Sequence, residues 1–240
     1  MLEPYRFDKP LIEGVIKYRI RSYVLVVELD GILYKCHCPC ITNFNIDVSG
    51  RPCLLWESSN PGRKTKYTVK AISLDTPSTV NKTWYGIDQT ESNRYVEHYL
   101  RQNAFSEMVD GTKEVLREQK IGKSRLDFKV GDVYIENKTC VGFGDHIPGY
   151  IAVRPSKPTS PSEHFYKHVQ ELSDALDSHE GAILLATFLY GSGKEMEHDT
   201  AVDKGGRIGK AMAKGVQGWQ CNFRITPEEV TLVSYEKINS

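Results

Sequence analysis

The first third of the chain is dominated by short runs of β-branched and aromatic residues with turn-forming residues between them. Five such runs occupy residues 14–18, 23–29, 32–37, 53–58 and 67–74. Runs of this length, bounded by Gly, Pro, Asn or Asp, are typical of strands. Asp30 and Gly31 stand between two of the runs and predict a tight hairpin turn. We therefore expect this part of the chain to fold as a small all-β unit with little helix.

The remainder of the chain has the spacing of alternating helices and strands. A helix is predicted from Glu91 onwards, with Ser92 as its N-cap. Its buried stripe is predicted to hold Tyr95, Val96 and Tyr99. Three strands, a helix, a buried strand, a helix and a closing strand are predicted at residues 114–121, 122–131, 132–139, 161–178, 181–190, 204–214 and 217–224. This order of elements predicts an α/β domain.

Charge and composition divide the chain near residue 83. Residues 1–83 hold 12 basic and 8 acidic residues, whereas residues 84–240 hold 19 and 23, so a net charge of zero combines +4 with −4. Pro77 and the polar residues of segment 75–82 favour turns and predict a connector. Five-stranded barrels of this size are commonly OB-folds. We predict an α+β chain of two domains, an OB-fold barrel over residues 1–83 and an α/β domain over residues 84–240.

A basic loop between the fourth and fifth predicted strands is the candidate nucleic-acid contact of the barrel. It carries Arg63, Lys64 and Lys66 with no acidic residue between them, and Tyr67 follows. OB-type barrels bind single strands through cations and exposed aromatic rings, so we predict that these four residues contact nucleic acid. A solvated hairpin tip remains the alternative. We also predict that Arg125, in the second domain, contacts nucleic acid.

Two carboxylates and a lysine are predicted to converge in the second domain. Glu136 and Lys138 share one face of a strand because side chains alternate, and Asp127 lies about opposite them across a turn near Gly131. Carboxylates without thiol or imidazole partners select Mg²⁺ or Mn²⁺, which activate water and stabilise charge on phosphate oxygens. The ammonium of Lys138 is suited to orienting a nucleophile or stabilising the phosphate. This set predicts phosphodiester hydrolysis, with the Asn137 carbonyl as a third metal ligand.

The spacing of Asp127, Glu136 and Lys138 resembles the PD-(D/E)xK nuclease superfamily. That resemblance implies supporting acids at Glu97, on the preceding helix, and at Glu118, on the preceding strand. The whole chain resembles the sugar fermentation stimulation protein A (SfsA) family, which has an N-terminal OB-fold and a C-terminal nuclease-like domain. The matching segments are residues 37–39, 59–61, 63–64, 67–68, 84–87, 93–97, 124–128, 134–138 and 162–172. The resemblance implies DNA binding by the first domain and Mg²⁺- or Mn²⁺-dependent cutting of DNA or RNA by the second.

Three questions remain open at this stage: the activity of the protein, the role of His168 and the role of the clustered cysteines. The chain is either a metal-dependent nuclease or a non-catalytic DNA-binding regulator of transcription that uses a nuclease-like fold. The register of the family match also leaves His168 either near the metal site or as a packed helical residue. Cys36, Cys38 and Cys40 would face one side of a strand and could bind a metal, although small buried apolar residues are the favoured interpretation.

Membrane and secretory classes are excluded by the hydrophobic pattern. The longest apolar run covers residues 182–190, about half the length that a helix needs to cross a bilayer. The first ten residues interleave charge and proline and lack the apolar segment of a signal peptide. We expect a cytoplasmic protein, with nucleoid or nuclear association open, and no membrane partner.

Overall fold

Two β-sheets and three helices make up the fold in the computed structural model, which describes residues 2–40, 44–122, 124–143, 146–154, 162–191 and 206–238. The strands are β1 Tyr5–Arg6, β2 Ile12–Arg21, β3 Val24–Leu29, β4 Ile32–His37, β5 Pro52–Glu57, β6 Tyr67–Ser73, β7 Trp84–Gly86, β8 Val115–Ile121, β9 Ser124–Val130, β10 Val133–Cys140, β11 Gly181–Phe188, β12 Gln217–Ile225 and β13 Glu229–Lys237. The helices are α1 Gln89–Leu100, α2 Glu163–Ala175 and α3 Arg207–Lys214.

The predicted barrel is present. Its sheet has the order β4-β3-β2-β5-β6-β7, and a parallel pairing of β4 with β6 closes five of these strands into an OB-like barrel. Asp30 and Gly31 both have positive φ, at 50° and 77°, as the hairpin turn between β3 and β4 requires. All five predicted strands are confirmed within three residues of their predicted ends.

The three clustered cysteines lie inside the barrel. Cys36, Cys38 and Cys40 are fully buried in one apolar cluster with Ile16 and Val69. Burial raises the pKa of the Cys36 thiol to about 12. Within the described ranges no group of three His, Cys, Asp or Glu side chains is arranged to hold a metal ion. The burial that the favoured interpretation requires is present at all three cysteines.

The second sheet has seven strands in the order β1-β13-β12-β11-β10-β9-β8. β10, β11 and β12 run parallel and the outer pairs are antiparallel. Helix α1 covers one face, where Tyr95, Val96 and Tyr99 join the core as predicted. Helices α2 and α3 cover the other face through residues such as Leu172 and Ile208. The predicted α+β class is confirmed, and the predicted order of helix, three strands, helix, strand, helix and strand is present.

Several element ends differ from the prediction. Asp88, and not Ser92, caps α1, because the Asp88 side chain accepts a hydrogen bond from the Thr90 N–H at 3.2 Å. Ser92 is buried within the helix. The strand predicted to close the chain is followed by β13, which pairs with β12. Helix α2 ends at Ala175 rather than at residue 178. The predicted starts of α2 and α3, at residues 161 and 204, fall outside the described residues.

The two sheets exchange strands and share their cores. β1, from the first part of the chain, pairs with β13 in the second sheet, and β7 pairs with β6 in the barrel sheet. Gly86 of β7 fits against Leu189 and Ile225, and a Cβ added to it would lie 2.4 Å from the Cβ of Leu189. The domain boundary at residue 83 stays a prediction.

None of the described helices is both long enough and apolar enough to cross a lipid bilayer.

Candidate functional site

The β9–β10 hairpin positions the predicted carboxylates. Gly131 makes the turn with φ of 59°, and the ladder runs from Val133 and Val130 to Ile135 and Phe128. Glu136 and Asp127 are the next residues on the two strands after this ladder ends, and the charge of Glu136 acts on the Asp127 carboxyl. Beyond the ladder, the backbone N–H of Asn137 donates to Oδ2 of Asp127 at 2.8 Å. The Asp127 carboxylate thus takes the place of a backbone acceptor at the end of the hairpin.

Glu136 is the most buried acid of the group, with 1 % of its surface exposed. Its Oε1 hydrogen-bonds Nζ of Lys138 and Nδ1 of His168. Its Oε2 is buried and has no hydrogen-bond partner within the part of the chain that the structure describes. Lys138 keeps 30 % of its side chain exposed, so its ammonium links the buried acid to solvent. The predicted shared face of Glu136 and Lys138 is therefore present.

A network of amides supports the other side of the site. Nδ2 of Asn93, on α1, donates to Oδ1 of Asp127 at 2.7 Å. Nδ2 of Asn137 donates to Oδ1 of Asn93 at 2.7 Å, and Oδ1 of Asn137 accepts from Thr187 at 2.5 Å. The buried Ser92 hydroxyl accepts a second hydrogen bond from Asn137 at 3.2 Å. Both polar ends of the Asn137 side chain are thereby engaged within the protein.

Burial and charge act together on Asp127. Burial, and after it the charge of the neighbouring Glu136, raise the pKa of its carboxyl to about 6. Hydrogen bonds from Asn137 and Asn93 and the charge of Lys138 oppose this shift but do not cancel it. A bound cation would relieve the unfavourable effect of the Glu136 charge on the ionisation of Asp127.

The donor set fits a hard divalent cation. Asp127 and Glu136 offer carboxylate oxygens, which Mg²⁺ and Mn²⁺ prefer, and the partnerless Oε2 of Glu136 is a free acceptor in a buried place. Mg²⁺ is commonly held by one or two carboxylates with water and substrate phosphate completing its shell. Two protein carboxylates are therefore enough, although the described residues contain no set of three acids, imidazoles or thiols around one point.

The two supporting acids are engaged elsewhere. Glu97 pairs with Arg101 at 2.8 Å and with Arg117 at 3.4 Å, one helical turn beyond Asn93. Glu118 has a positive φ of 53° and its exposed carboxylate lies 3.6 Å from Arg125. Their predicted catalytic role remains a prediction. Arg125 is exposed and carries this partner.

The predicted nucleic-acid residues of the barrel form a mixed group. Lys64 is exposed, and Lys66 pairs with Glu57 at 2.9 Å. Arg63 donates to the Thr68 hydroxyl at 3.1 Å and lies over the Trp56 ring. Tyr67 is only 4 % exposed and packs against Tyr34, so its ring lies in the core beneath the loop and not on the surface.

Asn93 is the residue of the site that sequence reasoning missed. It lies within the family-like segment 93–97, but an acid, Glu97, was assigned the helix contribution. An asparagine in a sequence does not by itself indicate a metal site. Asn93 contributes here only because α1 packs close enough to β9 for its side chain to reach Asp127. His168 was left open between two interpretations, and its contact with Glu136 brings it into the site.

The fold and the site together define a class of protein: an OB-like barrel joined to a mixed sheet that carries a carboxylate–lysine cluster at the end of a hairpin. A family model described as "Sugar fermentation stimulation protein RE domain" matches residues 90–229. The chain belongs to the sugar fermentation stimulation protein (SfsA) family.

Relatives and a solved structure agree with this assignment. A "Sugar fermentation stimulation protein homolog" of Alcanivorax borkumensis is 32% identical, with 75% of each chain covered. A homolog from Microcystis aeruginosa is 30% identical over 90% of both chains. The fold also matches a structure titled "The structure of Pyrococcus Furiosus SfsA in complex with Ca2+", with a TM-score of 0.71 and 17% identity over 98% of this chain and 96% of that one.

Proposed function

We propose that this protein binds nucleic acid and hydrolyses its phosphodiester bonds with the help of a divalent cation, Mg²⁺ or Mn²⁺. The observation that carries the proposal is the buried, partnerless Oε2 of Glu136 beside Asp127, whose pKa is raised to about 6 by burial and by Glu136. A buried acceptor without a partner costs free energy unless a ligand satisfies it. The two carboxylates favour a hard divalent cation as that ligand.

Asp127 and Glu136 would hold the cation, with the Asn137 carbonyl as the proposed third ligand. When bound, such a cation lowers the pKa of a water molecule and stabilises charge on a phosphate oxygen. Lys138 supplies a positive charge from the protein itself, in addition to that of the bound cation. Its ammonium lies against Glu136 on a side chain that is 30 % exposed, and we propose that it contacts a phosphate oxygen or orients the attacking water.

The neighbours of the carboxylates hold them in one orientation. His168 reaches Glu136 from α2, and Asn93 reaches Asp127 from α1. Partners of this kind orient metal ligands, and their loss typically lowers metal affinity or activity about 10- to 100-fold. The site is thus clamped between helices on opposite faces of the sheet.

The barrel is proposed to hold the strand. Residues 1–83 have a net charge of +4, and Arg63, Lys64 and Lys66 supply three cations in one loop. Phosphate neutralisation by such residues makes binding salt-dependent. Arg125, on β9 two residues before Asp127, is the proposed phosphate contact nearest to the site.

The test is a cleavage assay on labelled single- and double-stranded DNA and RNA with Mg²⁺, Mn²⁺ or EDTA. We expect metal-dependent cleavage that falls at least about 100-fold in Lys138→Ala, because one transition-state contact of this type is worth about 10²–10³ in rate. His168→Gln should lower cleavage about 10- to 100-fold. His179→Gln is the matched control, since His179 pairs with Asp132 outside the site. Binding without cleavage under every condition contradicts the proposal.

A non-catalytic DNA-binding regulator is the second candidate. The observation in its favour is that Lys138 and His168 already share Oε1 of Glu136, while the described residues offer only two carboxylates. For this candidate, Lys138→Ala would leave DNA affinity nearly unchanged and no cleavage would be detected. The same assay therefore separates the two functions.

A further inference from the structure

An exposed aromatic surface lies on the barrel beside the basic loop. Tyr18 on β2 is 51% exposed, and Tyr23 in the β2–β3 turn is 46% exposed. The Tyr23 ring stacks on the His37 ring, with centroids 6.4 Å apart and an angle of 13° between planes. Exposed aromatic rings are the surfaces on which nucleic-acid bases stack.

Strand register places cations among these rings. Tyr18 and Lys35 both pair with Val26, so they flank it on one face of the sheet. Arg21 and His37 pair with Val24 in the next row. We call the set Tyr18, Arg21, Tyr23, Lys35 and His37 the outer strip. Successive rows on a strand lie about 7 Å apart, so rings and cations alternate along the strip.

The charge of the strip suits a polyanion. Arg21 and Lys35 are exposed, and the neighbouring Lys17 pairs with Glu28 at 3.0 Å. The strip is also continuous with the basic loop, because His37 pairs with Thr68, whose hydroxyl accepts from Arg63. A second copy of the chain would place this positive strip against an equally positive one, which opposes association through this face.

We propose that the outer strip binds a single strand of nucleic acid, with bases stacked on Tyr18 and Tyr23 and phosphates against Arg21 and Lys35. Stacking on aromatic rings requires bases that are free of a duplex, so the strip selects single strands. This inference deepens the proposed function, since it names the surface and the form of the nucleic acid. It also gives the barrel an aromatic platform that the buried Tyr67 does not supply.

The test measures binding in EDTA, where metal-dependent cleavage cannot occur, by fluorescence anisotropy of a labelled single strand and of its duplex. We expect Tyr18→Ala and Tyr23→Ala each to weaken single-strand binding about 5- to 100-fold, since stacking is worth that much per base. Phenylalanine at either position should restore affinity, because it keeps the ring. Lys35→Ala should lower the salt slope by about 0.7, the value for one phosphate on a single strand.

Tyr150→Ala is the matched control, because Tyr150 is 71% exposed in a different part of the chain. It should leave affinity unchanged. Unchanged binding in both strip variants, or equal losses in the Ala and Phe variants, overturns the inference. Sedimentation of the same variants detects a second copy as the true occupant, an outcome that also overturns it. Cleavage by wild type and Lys138→Ala decides the proposed function separately, so the two can fail independently.

Discussion

Asp127 carries a proton over an unusual pH range because the folded protein buries it beside a second acid. Its pKa is raised to about 6, against 3.8 for an ordinary aspartic acid. Between these values the folded protein binds a proton that the unfolded chain has released. The stabilising contribution of this carboxyl is therefore complete below about pH 4 and is lost as pH rises through about 6.

We expect Asp127→Asn to remove this pH dependence. In EDTA, the free energy of unfolding of the wild type relative to the variant should fall by about 1–3 kcal/mol between pH 4 and pH 7, since each pKa unit corresponds to about 1.4 kcal/mol. Urea unfolding at both pH values measures it. Asp47→Asn is the control, because hydrogen bonds from Ser49 hold the pKa of Asp47 below its usual range and reverse the sign. A parallel pH dependence in Asp127→Asn and wild type would contradict the assignment.

At the scale of residues, the sequence predicts the charged groups of the site better than it predicts the neighbours that orient them. Alternation along one strand and a glycine turn are local rules, and they were sufficient to bring Asp127, Glu136 and Lys138 together. Asn93 could not be found in this way, because its contact with Asp127 depends on how α1 crosses β9, which no local pattern encodes. The same crossing leaves Glu97 beside two arginines.

At the scale of elements, a buried ion pair joins the barrel to the first helix. Lys70 on β6 and Asp88, the cap of α1, are both nearly inaccessible, and Nζ of Lys70 lies 2.6 Å from Oδ2 of Asp88. Glu91 in the first helical turn adds a second contact to the same ammonium at 3.4 Å. The barrel thereby helps to fix the helix from which Asn93 reaches the candidate site.

We expect Asp88→Ala to lower the free energy of unfolding by about 3 kcal/mol, because it leaves the buried Lys70 ammonium with only its longer contact to Glu91. The lost cap contributes about 1 kcal/mol of this. Asp88→Asn, which keeps an acceptor for the Thr90 N–H, should lose less than Asp88→Ala. Chemical denaturation measures all variants. Arg6→Ala is the control, because its exposed pair with Glu229 is worth at most about 1 kcal/mol. Equal effects in Asp88→Ala and Arg6→Ala would contradict the role of burial.

Element types were predictable and their ends were less so. Strands β2 to β6 follow from β-branched runs between turn residues, which is a strong local signal. The cap of α1 was assigned to Ser92 because serine commonly caps helices, but Asp88 satisfies the first turn and Ser92 becomes a buried hydrogen-bond partner of Asn137. β1 has two residues, too few for any periodicity to be read.

At the scale of the whole molecule, the two sheets depend on each other. The barrel core includes Tyr85, Ile87 and Ala186, and the core of the second sheet includes Leu11 and Leu54. Burying a side chain such as Leu11, Leu54 or Ile87 is worth about 1.5–3 kcal/mol, so exposing these three alone would cost about 5–9 kcal/mol, comparable to the total stability of a typical domain.

We expect fragments 1–83 and 84–240, expressed separately, to lack cooperative thermal unfolding. Circular dichroism and hydrogen exchange measure this. Fragment 1–88, which retains β7, is the matched comparison and should protect more backbone amides than fragment 1–83. A cooperative transition in isolated 1–83 would instead support an independent domain that ends at residue 83.

The pairing of β1 with β13 also has a consequence for synthesis. Tyr5 finds its partner Val230 only when more than 200 further residues have left the ribosome. The barrel strands can pair as soon as they emerge, whereas the edge of the second sheet must wait, exposed, for a distant segment. Long-range pairings of this kind slow folding and leave strand edges open to other chains. During translation, the first residues of this protein are therefore among the last to acquire their final neighbours.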